Sequence, residues 1–182
     1  MRIQILSDLH IEFHRDGGAG LLKELDPDSA DVLIVAGDLS TQALLDIALM
    51  SLCERFRFVV FVAGNHEYYH SSHDDVHQDL ARLAAAIPNL HWLHNSTCEV
   101  GGVRIGGTTL WFGYDQFNER YARLLSDFEV IRGFRSWVYQ SNAAAVRFLA
   151  EKAPLLDVVV THHLPSPRSI DAKFAGSPLN RF

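Results

Sequence analysis

Phe58-Val59-Val60-Phe61-Val62-Ala63-Gly64-Asn65-His66-Glu67 is an apolar run that turns abruptly polar. Its first part is too short for a typical helix. It is rich in β-branched and aromatic residues and reads as a strand buried on both faces. Gly64 permits a sharp turn at the strand's end. Asn65, His66 and Glu67 then fall in the crevice beyond the carboxyl end of the strand, where open α/β sheets place their ligands.

The same pattern recurs along the chain. Ile3-Gln4-Ile5-Leu6-Ser7 leads into Asp8-Leu9-His10, and Val32-Leu33-Ile34-Val35-Ala36 leads into Gly37-Asp38. Val158-Val159-Val160-Thr161 leads into His162-His163. Any one of these endings reads equally well as an ordinary turn, because turns favour Asp and Asn. Four together suggest one site gathered from four strand ends. Carboxylate, amide oxygen and imidazole form the donor set for a hard or borderline divalent cation. Strand alternation would put Asp8 and His10 on one side and Leu9 on the other.

Between these strands the spacing predicts helices over Thr41–Phe56 and His73–Ile87, the second capped by Ser71 or Ser72. A further alanine-rich helix is expected over Ser141–Ala153. Gly101-Gly102 marks a hairpin between Thr97–Val100 and Val103–Gly106. Leu90–His94 and Thr108–Phe112 read as further strands of that antiparallel run. The amphipathic stretch from Gly113 to Gly133, with Phe117, Tyr121, Leu124, Leu125, Phe128 and Ile131, reads as a cap or surface helix beside the site. The expected fold is therefore α/β: mixed sheets in a two-sheet sandwich, flanked by helices, in one domain over residues 1–182. His66, His70, His73 and His77 are spaced so that His73 and His77 share a helix face. That face reads either as a separate zinc site or as a solvated polar surface, and the second is favoured.

The net charge is −6, the pI about 5.9 and 48% of residues are hydrophobic. This is a chain with a core and without a broad electrostatic grip on nucleic acid. Cys53 and Cys98 are far apart and read as reduced structural thiols. No charged leader precedes the first strand and no apolar run spans a membrane, so a cytoplasmic location is the expectation.

Asp8-x-His10, Gly37-Asp38, Gly64-Asn65-His66-Glu67 and Thr161-His162 together resemble the calcineurin-like metallophosphoesterases, in order and in strand context. The resemblance implies a two-metal hydrolase of phosphomonoesters or phosphodiesters. Asp8, His10 and Asp38 would hold one cation; Asp38, Asn65 and His162 would hold the second, with Asp38 bridging. His66 would steady the substrate phosphate and protonate the leaving oxygen, and Asn65 would help to place the phosphate. His163 would be structural. Mixed oxygen and imidazole donors suit Mn, Fe or Zn, and Mg less well. Phe13, Tyr68, Tyr69, Tyr114 and Arg168 lie near the motif loops and are candidates to line a pocket.

The family pattern continues to a Gly-His-x-His block that gives each metal one more imidazole, whereas this sequence contains no Gly-His. The expectation is a truncated member, lacking one protein ligand per metal and a β-element. Two other readings stay open: a catalytically silent remnant that binds metal or phosphate, and a nuclease-like enzyme, which the acidic charge disfavours. The sequence does not fix the oligomeric state.

Overall fold

The computed structural model describes residues 1–116 and 118–182. Phe117, read as part of the cap, lies outside the described residues. Four parallel strands, β1 (Ile3–Leu6), β2 (Val32–Ala36), β3 (Val59–Val62) and β4 (Leu90–Trp92), form one sheet in that order. Three more, β5 (Ser96–Val100), β6 (Val103–Thr108) and β7 (Val158–Thr161), form a second sheet. There β5 and β6 are antiparallel across Gly101-Gly102, and β6 and β7 are parallel. The sequence expectation of mixed sheets flanked by helices holds.

The alternation of β2 and β3 decides the layering. Val32, Ile34, Val60 and Val62 face Val100, Ile105 and Val160 of the second sheet. Leu33, Val35, Val59 and Phe61 point the other way, into a core shared with two helices, α2 (Gln42–Arg55) and α3 (His73–Ala86). Leu45, Leu49 and Leu52 of α2 and Val76, Leu80 and Leu83 of α3 are buried there. Such side chains recur at helical spacing because both helices cover the sheet with one face only. Ser72 caps α3, its hydroxyl accepting from Asp75 N–H.

Three expectations need correction. Leu90–Trp92 pairs in parallel with β3, not within an antiparallel run, because α3 returns the chain across the sheet before β4 begins. Thr108–Phe112 does not continue β6 as a strand. Leu110 and Trp111 have φ of 71° and 53°, and Thr109 turns inward to donate its hydroxyl to Ala63 C=O at 2.7 Å. The last long helix, α6, begins at Phe134, not Ser141, and ends at Lys152. Its early turns carry aromatic residues of weaker helix propensity, but burial of Phe134 and Val138 one turn apart overrides that.

Short helical segments fill the remainder: α1 (Ala19–Glu24), α4 (Asn118–Tyr121) and α5 (Asp127–Val130). The cap is thus a series of single turns instead of one helix. Among the described residues no helix is long and apolar enough to cross a membrane.

Candidate metal centre

The four motif-bearing loops meet at the carboxyl ends of β1, β2, β3 and β7. The loops after β1 and β2 zip together through Asp8 N–H to Gly37 C=O and His10 N–H to Asp38 C=O, at 3.1 and 3.0 Å. Asp8, His10 and Asp38 all adopt left-handed backbone, with φ of 55°, 46° and 53°. This differs from the strand alternation expected for Asp8 and His10: β1 ends at Leu6, and strained turns, not a pleat, bring the two side chains together. Left-handed non-glycine residues cost about 1–3 kcal/mol each and gather at functional sites.

The predicted donors converge. His10 Nε2 lies 3.9 Å from Asp8 Oδ1 and 3.7 Å from Asp38 Oδ2. On the other side, His162 Nε2 lies 3.5 Å from Asp38 Oδ1 and 3.1 Å from Asn65 Oδ1. Asp38 therefore presents a different oxygen to each imidazole. Asp38 itself is buried, and His66 N–H donates to its Oδ1 at 2.9 Å. Glycines make the close approach possible. A Cβ at Gly64 would sit 2.2 Å from Asp38 Oδ1, and one at Gly37 would sit 2.4 Å from His162 Nδ1.

Hydrogen bonding fixes the polarity of this cluster. His162 Nδ1 lies 2.9 Å from Ala36 C=O, which can only accept, so Nδ1 carries the proton and Nε2 faces the two oxygens. Asn65 cannot turn its amide round, because its Nδ2 donates to Asp127 Oδ1 at 2.9 Å. Asp127 also accepts from Tyr69 O–H at 2.8 Å. In the neutral ring an imidazole lone pair, an amide oxygen and a carboxylate oxygen thus point at one another. Among the described residues no Lys or Arg forms an ion pair with Asp8 or Asp38. Such acceptor-only convergence fits divalent cations, and the donor chemistry matches them.

Glu67 is the hub under this arrangement. Fully buried, it accepts from the N–H groups of Gly64, Asp38, Leu39 and Ser40 at 2.6–3.2 Å. Burial, and next the neighbouring Asp38 charge, push its carboxyl up, while those N–H donors pull the other way. Its task is to hold the β2 and β3 loops against each other.

His66 lies at the rim. Its Nδ1 is 2.8 Å from Glu12 Oε1, and its ring stacks on Tyr69 at 4.1 Å. His163 is half-buried, its ring 5.1 Å from Trp111 between centroids; burial and then His162 hold its imidazole down to about 3. Of the pocket candidates, Tyr69 lines the cleft and Tyr68 is buried in the core. Phe13 sits exposed beside His10 and His66, Tyr114 packs on Tyr139, and Arg168 is exposed. The cleft beside Asp8, Asp38, Asn65 and His162 encloses about 360 Å³, with Leu124 and Leu125 of the cap at its edge.

Sequence reading missed Asp127 and Glu12. Burial raises the Asp127 carboxyl pKa, against the opposing bonds from Tyr69 and Asn65. Neither acid stands in a strand-end motif.

A family model for the calcineurin-like phosphoesterases matches residues 1–182. The chain belongs to that family and is a metal-dependent hydrolase of ester bonds. Solved structures share its fold. The crystal structure of phosphopantetheinyl hydrolase from Mycobacterium tuberculosis aligns with a TM-score of 0.65 at 19% identity, over 90% of this chain and 68% of that one. A second crystal structure aligns with a TM-score of 0.59 at 15% identity, over 93% of this chain and 72% of that one. No curated protein sequence matches this chain.

Proposed function

We propose that this chain hydrolyses a small phosphomonoester or phosphodiester at a centre built for two divalent cations. The observation that carries the proposal is Asp38, with Oδ2 3.7 Å from His10 and Oδ1 3.5 Å from His162. Asp8, His10 and Asp38 would hold one cation; Asp38, Asn65 and His162 would hold the other. Bound there, Mn, Fe or Zn would supply Lewis-acid chemistry, polarising a phosphoryl oxygen and lowering the pKa of water to about 7.

The chain's own residues supply positioning and the proton. Glu12 accepts from His66 Nδ1–H, which orients the ring and leaves Nε2 as the nitrogen free to serve substrate. As the imidazolium, His66 would give its Nε2 proton to the leaving oxygen and stay bonded to Glu12 through Nδ1–H. Tyr69, stacked on His66 and bonded to Asp127, holds the ring from the other face. Asp127 accepts from the Asn65 amide nitrogen and so turns the amide oxygen toward His162, where it would hold a cation. With a net charge of −6, the chain is better suited to a small phosphoester than to a polyanion.

The test is turnover of bis-p-nitrophenyl phosphate and p-nitrophenyl phosphate by the purified chain with Mn²⁺. His66→Ala should lose roughly 10²–10⁴-fold in rate, the usual contribution of a general acid. Asp38→Ala should lose all turnover. Folded wild-type protein no faster than Asp38→Ala would favour the silent-remnant reading instead.

A further inference from the structure

A second group of imidazoles shares no residue with the proposed centre. His73 and His77 lie one turn apart on α3, with ring centroids 3.9 Å apart. His94, just beyond β4, brings its ring to 4.3 Å from His77 and 6.3 Å from His73. One ring nitrogen from each of the three lies within 4.8 Å of the others. The solvated polar face expected from the sequence is not what forms. The rings are only partly exposed and pack on aromatics: His73 on Trp137 at 4.8 Å and His77 on Trp92 at 5.2 Å.

We infer that His73, His77 and His94 form a separate binding site for a borderline divalent cation of the zinc type, such as Zn²⁺ or Co²⁺. Two of the rings are already oriented from behind. His73 Nδ1 is bonded to the Asp74 carboxylate at 3.0 Å, and His77 Nε2 to the Tyr68 hydroxyl at 2.9 Å. This leaves His73 Nε2 and His77 Nδ1 for a cation, with the outer hydrogen bonds that metal-binding imidazoles characteristically make. The His94 ring makes no hydrogen bond among the described residues.

An all-imidazole set selects against Mg²⁺ and Ca²⁺, which want oxygen, and suits Zn²⁺ with three protein donors and an open fourth position. The i, i+4 pair on α3 and the single residue after β4 would make the cation a clasp between helix and sheet. Three ring nitrogens from two elements, two of them with orienting partners, are more than aromatic packing requires.

The experiment is equilibrium dialysis of the full chain against Co²⁺, with tryptophan emission followed in parallel, because Trp92 and Trp137 flank the site. Wild type should bind one equivalent more than His73→Gln or His94→Gln, and that equivalent should quench emission. The same stoichiometry and quenching in wild type and folded variants would overturn the inference. Asp74→Asn guards against variants that fail to fold, because its side chain is fully exposed. It should weaken this equivalent roughly 10–100-fold, as loss of an outer partner does. Unchanged affinity in Asp74→Asn, with the His variants unfolded, would also overturn it.

Discussion

Asn65 shows how a proposed ligand is set by a residue far from it in sequence. Its amide is aimed by Asp127, 62 positions away. Asp127→Ala frees that amide, and the Mn²⁺ concentration needed for half-maximal turnover should rise roughly 10–100-fold. Glu67→Ala strips acceptors from four backbone N–H groups. Leaving even one buried donor unsatisfied costs about 1–3 kcal/mol, so urea unfolding should show a loss of about 3–5 kcal/mol. Glu67→Gln should lose less, because it keeps one acceptor oxygen. Cys53 and Cys98 both have thiols pushed up to about 11 by burial. A raised thiol pKa means little thiolate at neutral pH, so alkylation should be slow at pH 8 and accelerate as pH approaches 11. At this scale the sequence marked Asp8, His10, Asp38, Asn65, His66 and His162 as candidates, because each follows a short apolar strand. Asp127 and Glu12 were hidden because their partners lie 62 and 54 residues away, and nothing local marks them.

The elements explain why the motif residues arrive together. Strands β1, β2 and β3 run parallel, so their carboxyl ends share one edge of the sheet. The second sheet packs over Val32, Ile34, Val60 and Val62, which brings the end of β7 and His162 to the same edge. Residue alternation and helical spacing made these strands, α2 and α3 legible from sequence. The pairing of β4 was not legible, since three residues carry no sign of their partner. The start of α6 was misplaced because tertiary burial of Phe134 and Val138 outweighs their modest helix propensity. Leu80, fully buried between α3 and the sheet, should cost about 2–5 kcal/mol on substitution by alanine in thermal or urea unfolding. Ser72→Ala should cost about 1 kcal/mol through loss of the cap.

At the scale of the molecule, two sheets and their helices bring Asp8, His10, Asp38, Asn65 and His162 to one edge, with strained, hydrogen-bonded loops between them. The acceptor-only cluster around Asp38 carries the account. It is an arrangement that cations would relieve, so chelation should abolish turnover and lower the thermal unfolding temperature, and Mn²⁺ should restore both. The most direct measurement is an anomalous difference map from crystals grown with Mn²⁺. Two peaks are predicted, one bounded by Asp8, His10 and Asp38 and the other by Asp38, Asn65 and His162. A single peak, or peaks that leave Asp38 untouched, would contradict the account.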